Sequence, residues 1–255
     1  MQNHNPLSRT GFLFSWYLDI YKWEHRVVRA RNYISFRLQP KDHPSKQKVF
    51  VVGYPRSGNH SLHVLFKKNN LNSCQTPGIW KTKQYDCFSD RGNFWPFWLM
   101  DKYYPNSIFI LNTRPVYKYI RSVINHRFGR GKKSSGWFEP STRNIQNEII
   151  ERNLDMLNFV KQCKEKNNCL VVNIERPGSF DFVCNYLRIQ MVDDLENKPK
   201  VSWRDKDLEK IEKAFHALGI EDQKEEPFLL DPLISDKDRT VKEEFLRNNQ
   251  ERIFL

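Results

Sequence analysis

The sequence predicts an α/β domain of three layers, a central parallel sheet flanked by helices. Residues 49–52 (Val-Phe-Val-Val), 107–111 (Ser-Ile-Phe-Ile-Leu) and 170–174 (Leu-Val-Val-Asn-Ile) are short, nearly continuous apolar runs. Strands buried on both faces read this way, whereas half-exposed strands alternate. Each run ends in a polar turn followed by a stretch of helical composition, and strands that alternate with helices build parallel sheets. The chain of 255 residues suits one such domain with a sizeable core, and no internal repeat divides it. The expected organisation is a single domain over 1–255, with an N-terminal helical extension over 1–47, a core over 48–190 and a C-terminal helical extension over 191–255.

Taken in order, the chain begins with an apolar segment at 11–18 that lacks a small-residue cleavage site and runs into Asp19, Lys22, Glu24 and Arg26. It reads as an amphipathic helix, and two roles stay open for it: packing on the domain, or peripheral contact with a membrane surface. No stretch reaches the roughly 20 apolar residues that a bilayer span needs. Weak alternation over 32–38 predicts a short edge strand, and the Pro- and Lys-rich stretch 39–48 predicts a link.

The first apolar run leads into Gly53-Tyr54-Pro55-Arg56-Ser57-Gly58-Asn59-His60-Ser61, a glycine turn that opens a helix. Such a turn points several N–H groups and the positive end of the helix dipole at one spot, a cradle for a phosphate or sulfate. Gly53 and Gly58 have the spacing of a nucleotide-triphosphatase loop, but the Lys and Ser/Thr that such a loop needs for phosphate and Mg²⁺ are replaced by Asn59 and His60. The cation lies inside the turn instead, at Arg56.

Residues 85–89 predict a short central strand, which places Asp90 near its C-terminal end, and 94–105 reads as an aromatic-rich helix. The run at 107–113 is a second buried strand. It delivers Arg114 to the edge where ligands bind in open α/β sheets, and Pro115 suits the first position of a helix over 116–127. Residues 127–138 gather glycines, serines, cations and aromatics, a candidate lid containing Arg130 and Lys132. A long packing helix over 142–166, a third strand over 170–175 and a short helix over 179–187 follow. Beyond 192, charged helices over 206–218 and 241–254 are expected, joined by a Pro-containing stretch at 226–232.

Pro55-Arg56-Ser57-Gly58 resembles, residue for residue, the 5′-phosphosulfate loop of the sulfotransferases that use 3′-phosphoadenosine 5′-phosphosulfate (PAPS). The one departure is Asn59, where that family usually has Thr. Arg114, followed eight residues later by Ser122, is similar to the family's 3′-phosphate site, and a planar guanidinium suits two phosphate oxygens. The resemblance covers 48–189 and stops at both ends. It implies a P-loop-like sulfotransferase architecture, PAPS as donor and adenosine 3′,5′-bisphosphate (PAP) as product. It further implies a cofactor site made of Arg56, Ser57, Gly58, Asn59, His60, Ser61, Arg114 and Ser122.

Sulfuryl transfer to an alcohol needs a base within reach of the acceptor hydroxyl. Asp90 and Asp86 are the candidates, with His126 as a rival, and Arg56 is placed to stabilise the leaving group. Arg130 and Lys132 are candidate contacts for a small-molecule or glycan acceptor. No metal is expected, since no cluster of ligating residues is present.

Lys and Arg outnumber Asp and Glu by 42 to 30, a net +12, which favours anionic ligands without choosing among them. A nucleotide or small-molecule kinase with a degenerate loop and a basic nucleic-acid-binding protein are therefore the alternatives. The first lacks the Lys and Ser/Thr of its motif, and the second does not account for two buried strands that each deliver an arginine to a turn. Cys74, Cys87, Cys163, Cys169 and Cys184 are odd in number and show no Cys-x-x-Cys pair. This predicts reduced thiols, a cytoplasmic setting and no zinc site.

Overall fold

The computed structural model describes residues 41–75, 82–89, 97–128, 140–192 and 207–255, with isolated positions 27, 30, 34, 37 and 38 upstream. Its centre is a six-stranded sheet of β1 (Val49–Val51), β2 (Ser73–Gln75), β3 (Cys87–Ser89), β4 (Ile108–Thr113), β5 (Cys169–Asn173) and β6 (Ile253–Phe254). The order is β2-β3-β1-β4-β5-β6, and every neighbouring pair is parallel. The three-layer α/β expectation holds.

Alternate residues of β1 feed opposite layers. Val49 and Val51 face α1 (Asn59–Lys68) and α5 (Ser179–Leu187), where Leu62, Leu65, Phe66, Val183 and Cys184 cover them. Phe50 faces α2 (Phe97–Tyr103), α4 (Thr142–Cys163) and α7 (Asp236–Asn248), through Met100, Met156, Val160 and Phe245. On this second face Phe50 stacks between Phe88 and Phe109, with ring centroids at 5.1 and 5.2 Å. All three rings are buried, so Phe50→Ala removes a shared wall and costs about 3–5 kcal/mol. Outside α4, α3 (Val116–Phe128) and α6 (Leu208–Leu218) pack through Tyr119, Ile120, Ile211 and Phe215.

Helix α4 is the longest of the described residues, and its start is capped where Ser141 Oγ accepts from the Asn144 N–H at 3.1 Å. It ends at Cys163, which is disulfide-bonded to Cys169 at the start of β5, with Cα atoms 6.1 Å apart. The expectation of five thiols is thereby corrected. The short turn between helix and strand brings these two Cα atoms within bridging range, and spacing in the sequence does not reveal that. Cys74, Cys87 and Cys184 take no part in a disulfide.

Two further expectations are overturned. Positions 34, 37 and 38 are helical, not part of an edge strand. The C-terminal stretch is not all helix: α7 ends at Asn248, and Ile253 and Phe254 then pair with Val171 and Val172. The end of the chain thus supplies a sixth strand, and Phe228, Leu229 and Phe245 belong to the main core. Residues 207–255 therefore complete the domain, since without them the aromatic face of the sheet lacks part of its cover. β2, which the sequence reading passed over, pairs with β3 through Ser73, Cys74 and Gln75. It is short and polar, so no apolar run marked it.

The topology leaves a crevice. From β1 the chain departs through α1 towards β2, and from β4 it departs the other way, through α3 and α4, towards β5. The turns after β1 and β4 therefore diverge, which makes the C-terminal ends of these adjacent strands the switch point where open α/β sheets bind ligands.

Candidate anion-binding site

Three strand ends meet at this crevice. The turn after β1 approaches β4 so closely that a Cβ on Gly53 would lie 1.9 Å from Asn112 Oδ1 and 2.3 Å from the Asn112 carbonyl oxygen. Only glycine fits there. At Gly58 the backbone takes φ 93°, and a Cβ would meet Ile174 Cδ1, just past β5, at 2.4 Å. Gly58 is also the N-cap of α1, which has no side-chain cap and no acidic residue in its first turn. The first intrahelical bond is from the Leu62 N–H to the Gly58 carbonyl at 3.3 Å. The N–H groups of Asn59, His60 and Ser61 precede it and point out of the helix start, where an anion is favoured.

The inside of the turn is braced by two asparagines. Asn112 Nδ2 donates to the Ser57 carbonyl at 2.6 Å and to Asn59 Oδ1 at 2.7 Å. Asn59 Nδ2 in turn donates to the carbonyls of Gly53 (3.3 Å) and Tyr54 (3.5 Å). The side chain of Asn59 therefore holds the loop's shape, and the residue offers an anion its main-chain N–H. The ring of His60 is likewise occupied, with Nδ1 2.7 Å from Gln75 Oε1 on β2. Ser57 Oγ, by contrast, is buried without a hydrogen-bond partner among the described residues. A buried hydroxyl normally has one.

Arg56 sits in the left-handed region at φ 75°, a conformation that costs a non-glycine residue about 1–3 kcal/mol. Its Nε lies 3.3 Å from Ser122 Oγ on α3. Arg114, at the end of β4, donates from Nη1 to the Arg56 carbonyl at 3.1 Å. Its Nη2 is paired with Glu175 Oε1, and the other oxygen of Glu175 is 3.9 Å from Lys118 Nζ. Arg56, Arg114 and Ser122, read separately from two stretches of sequence, thus form one cluster.

The base candidates separate. Asp86 lies at the entry end of β3, level with Lys48, because Cys87 pairs with Val49. Its Oδ1 accepts from Lys48 Nζ at 3.0 Å. The fully buried Lys48 also donates to Asp42 Oδ2 at 3.0 Å and to the Tyr85 carbonyl at 2.9 Å. Asp86 is therefore at the opposite edge of the sheet from the cradle and is removed as a base. Its work is to neutralise a buried ammonium, which would otherwise be costly. Asp90 lies outside the described residues, directly after Ser89, the last residue of β3. His126 is exposed, one helical turn beyond Ser122 on the same side of α3. Arg130 and Lys132 also lie outside the described residues.

Several site residues went unread in the sequence. Asn112 interrupts an otherwise apolar strand, and a polar side chain inside such a run needs a buried partner; that was the available signal. Tyr54, within the turn, donates to Glu151 Oε2 on α4 at 2.9 Å and meets Tyr119 edge-on at 5.7 Å. Burial pushes the Tyr54 hydroxyl's pKa up, so it stays a donor. Among the described residues, no group of three or more His, Cys, Asp or Glu is placed to hold a metal ion. Nor is any described helix long and apolar enough to cross a membrane.

No family model, curated protein or solved structure matches this chain. The class that the fold and site define is a parallel α/β domain with an arginine-containing glycine turn, a candidate anion cradle, at its switch point.

Proposed function

We propose that this protein is a sulfotransferase that moves the sulfuryl group of PAPS to a hydroxyl of a small-molecule or glycan acceptor. One observation carries the reading. Arg56 and Arg114, 58 positions apart, touch through the Arg56 carbonyl, and Ser122 stands against Arg56. Two anion sites side by side suit a nucleotide charged at both ends.

In this reading the N–H groups of Gly58 to Ser61 and the Ser57 hydroxyl hold the 5′-phosphosulfate. The fork of Arg114 and the hydroxyl of Ser122 hold the 3′-phosphate. The acceptor oxygen attacks sulfur, its proton passing to Asp90 or, as the rival base, His126. As the new O–S bond forms, the S–O bond to the 5′-phosphate breaks and its electron pair leaves with PAP. Arg56 is aimed at the oxygen that gains this charge, where one preorganised donor is typically worth about 3–4 kcal/mol. Arg130 and Lys132 are proposed acceptor contacts. No step requires a metal.

A kinase would need a phosphate-binding lysine and a hydroxyl for Mg²⁺ after Gly58. Asn59 and His60 stand there, with both side chains engaged elsewhere. The cytoplasmic placement has the three cysteines outside the disulfide in its favour, and the Cys163–Cys169 bridge counts against it.

The test is calorimetric titration with PAP, and with ATP plus Mg²⁺, followed by incubation with radiolabelled PAPS and a panel of glycan, lipid and phenol acceptors. Binding of PAP with label transfer to one acceptor class is expected. Binding of ATP–Mg²⁺ but not PAP would overturn the proposal.

A further inference from the structure

Consecutive residues of α4 reach the two halves of the site. Glu151 accepts from Tyr54 of the cradle turn. Arg152, the next residue, donates from Nη2 to the Arg114 carbonyl at 2.9 Å and to the Pro227 carbonyl at 2.7 Å, and from Nη1 to the Phe228 carbonyl at 3.4 Å. Its guanidinium lies 5.4 Å from the centre of the Tyr119 ring. The side chain is fully buried, and burial lowers its pKa to about 10, which leaves it charged at neutral pH.

A buried cation is expensive to desolvate, and buried arginines ordinarily lie against carboxylates. Here the hydrogen-bond acceptors are three main-chain carbonyls from two segments distant in sequence, and the charge of Glu226, beside Pro227, favours the guanidinium without bonding it. One belongs to Arg114, whose side chain forms the second anion site. Holding that carbonyl sets the peptide plane after Arg114, at the point where the chain leaves β4 for α3. The direction in which Arg114 projects towards the Arg56 carbonyl depends on that plane.

We infer that Arg152 is a positioning residue for the second anion site: it ties the main chain of Arg114 to residues 227–228 and so aims the Arg114 fork at the nucleotide's 3′-phosphate. The inference rests on the nucleotide reading above. It also gives the C-terminal segment a function, since Pro227 and Phe228 become the fixed wall against which the site is set.

The test uses the full chain with Arg152→Met, which keeps length and apolar packing but has no donors, alongside Arg114→Ala and the double variant. Each is titrated with PAP and with adenosine 5′-phosphosulfate, which lacks the 3′-phosphate. Arg152→Met is expected to weaken PAP binding by about tenfold, to change adenosine 5′-phosphosulfate binding by less than about twofold, and to have no further effect once Arg114 is alanine. Equal losses for both ligands, or additive losses in the double variant, would overturn the inference. Arg152→Lys keeps the charge without the fork; it carries the same comparison should the Met variant not fold, with a several-fold selective loss for PAP expected. If Arg114→Ala itself leaves PAP affinity unchanged, the nucleotide reading falls. The positioning role is then judged on a crystal structure of the Arg152 variant. Loss of the contact from Arg114 Nη1 to the Arg56 carbonyl supports it, and retention sinks it.

Discussion

Arg56 Nε lies 3.3 Å from Ser122 Oγ across 66 positions of sequence, so the cation of the first turn is held by a hydroxyl from the helix that follows the second. The contact keeps a strained, exposed arginine beside α3, at the end of the sheet where β1 and β4 terminate.

Arg56→Ala is expected to lower turnover with PAPS by about 10²- to 10³-fold. Arg56→Gly should lose the same activity yet be more stable than the alanine variant by about 1 kcal/mol, because glycine adopts φ 75° without a steric penalty. Steady-state kinetics with thermal unfolding checks both. A turnover loss under about threefold removes Arg56 from the mechanism.

Glu175 pairs with Arg114 where a phosphate oxygen would bind. A carboxylate there competes with an anionic ligand, so Glu175→Gln is expected to tighten PAP binding by roughly three- to tenfold. Weaker binding would mean instead that Glu175 orients the arginine.

Asp90→Asn and Asp86→Asn should part company. The first is expected to cut turnover by about 10²-fold or more with PAP affinity retained. The second should leave turnover per folded molecule nearly unchanged while lowering stability, because it takes one carboxylate from the buried Lys48. If the Asp86 variant alone loses activity, the placement of the chemistry is wrong.

The Lys48 ammonium beside Asp42 holds its carboxyl pKa down at about 2, against an ordinary 3.8. A pKa lowered on folding contributes stability that is fully present above 3.8 and is lost as the pH falls through 2. Urea unfolding midpoints should therefore drop between about pH 4 and pH 2, and Asp42→Asn should flatten that part of the curve. An unchanged acid limb in the variant would assign the acid sensitivity to other groups.

Burial raises the pKa of Cys87 to about 12, and Cys163 is bridged to Cys169. Alkylation of the native protein without reductant should therefore label Cys74 first and leave Cys87, Cys163 and Cys169 unmodified. Mass spectrometry reads the pattern, and early labelling of Cys163 would disprove the bridge.

Much of the fold was legible because β1, β4 and β5 are buried on both faces and so read as apolar runs. β6 was not: Ile253 and Phe254 are two residues at the end of a charged helical stretch, and only pairing with Val171 and Val172 makes them a strand. At the site, Gly53, Arg56, Gly58, Arg114 and Ser122 were legible because a tight turn and a strand end demand particular residue types at close spacing. Asn112, Glu151 and Arg152 carry no local signal of that strength, because their partners lie far away in the chain. Asp86 and Asp90 looked alike as candidates. The register of Cys87 against Val49 puts Asp86 at the far edge, and no local pattern encodes register between strands.

By itself the sequence determined the class of the domain, the glycine turn after the first strand and the arginines placed in that turn and at the end of a second strand, since these follow from local burial patterns and turn chemistry. Only the tertiary structure decided that the two arginines touch, that Asp86 serves Lys48, that Cys163 meets Cys169 and that a buried Arg152 grips the chain beneath Arg114. Each of these depends on which strands become neighbours and in what register, and that is settled by the packing of the whole core.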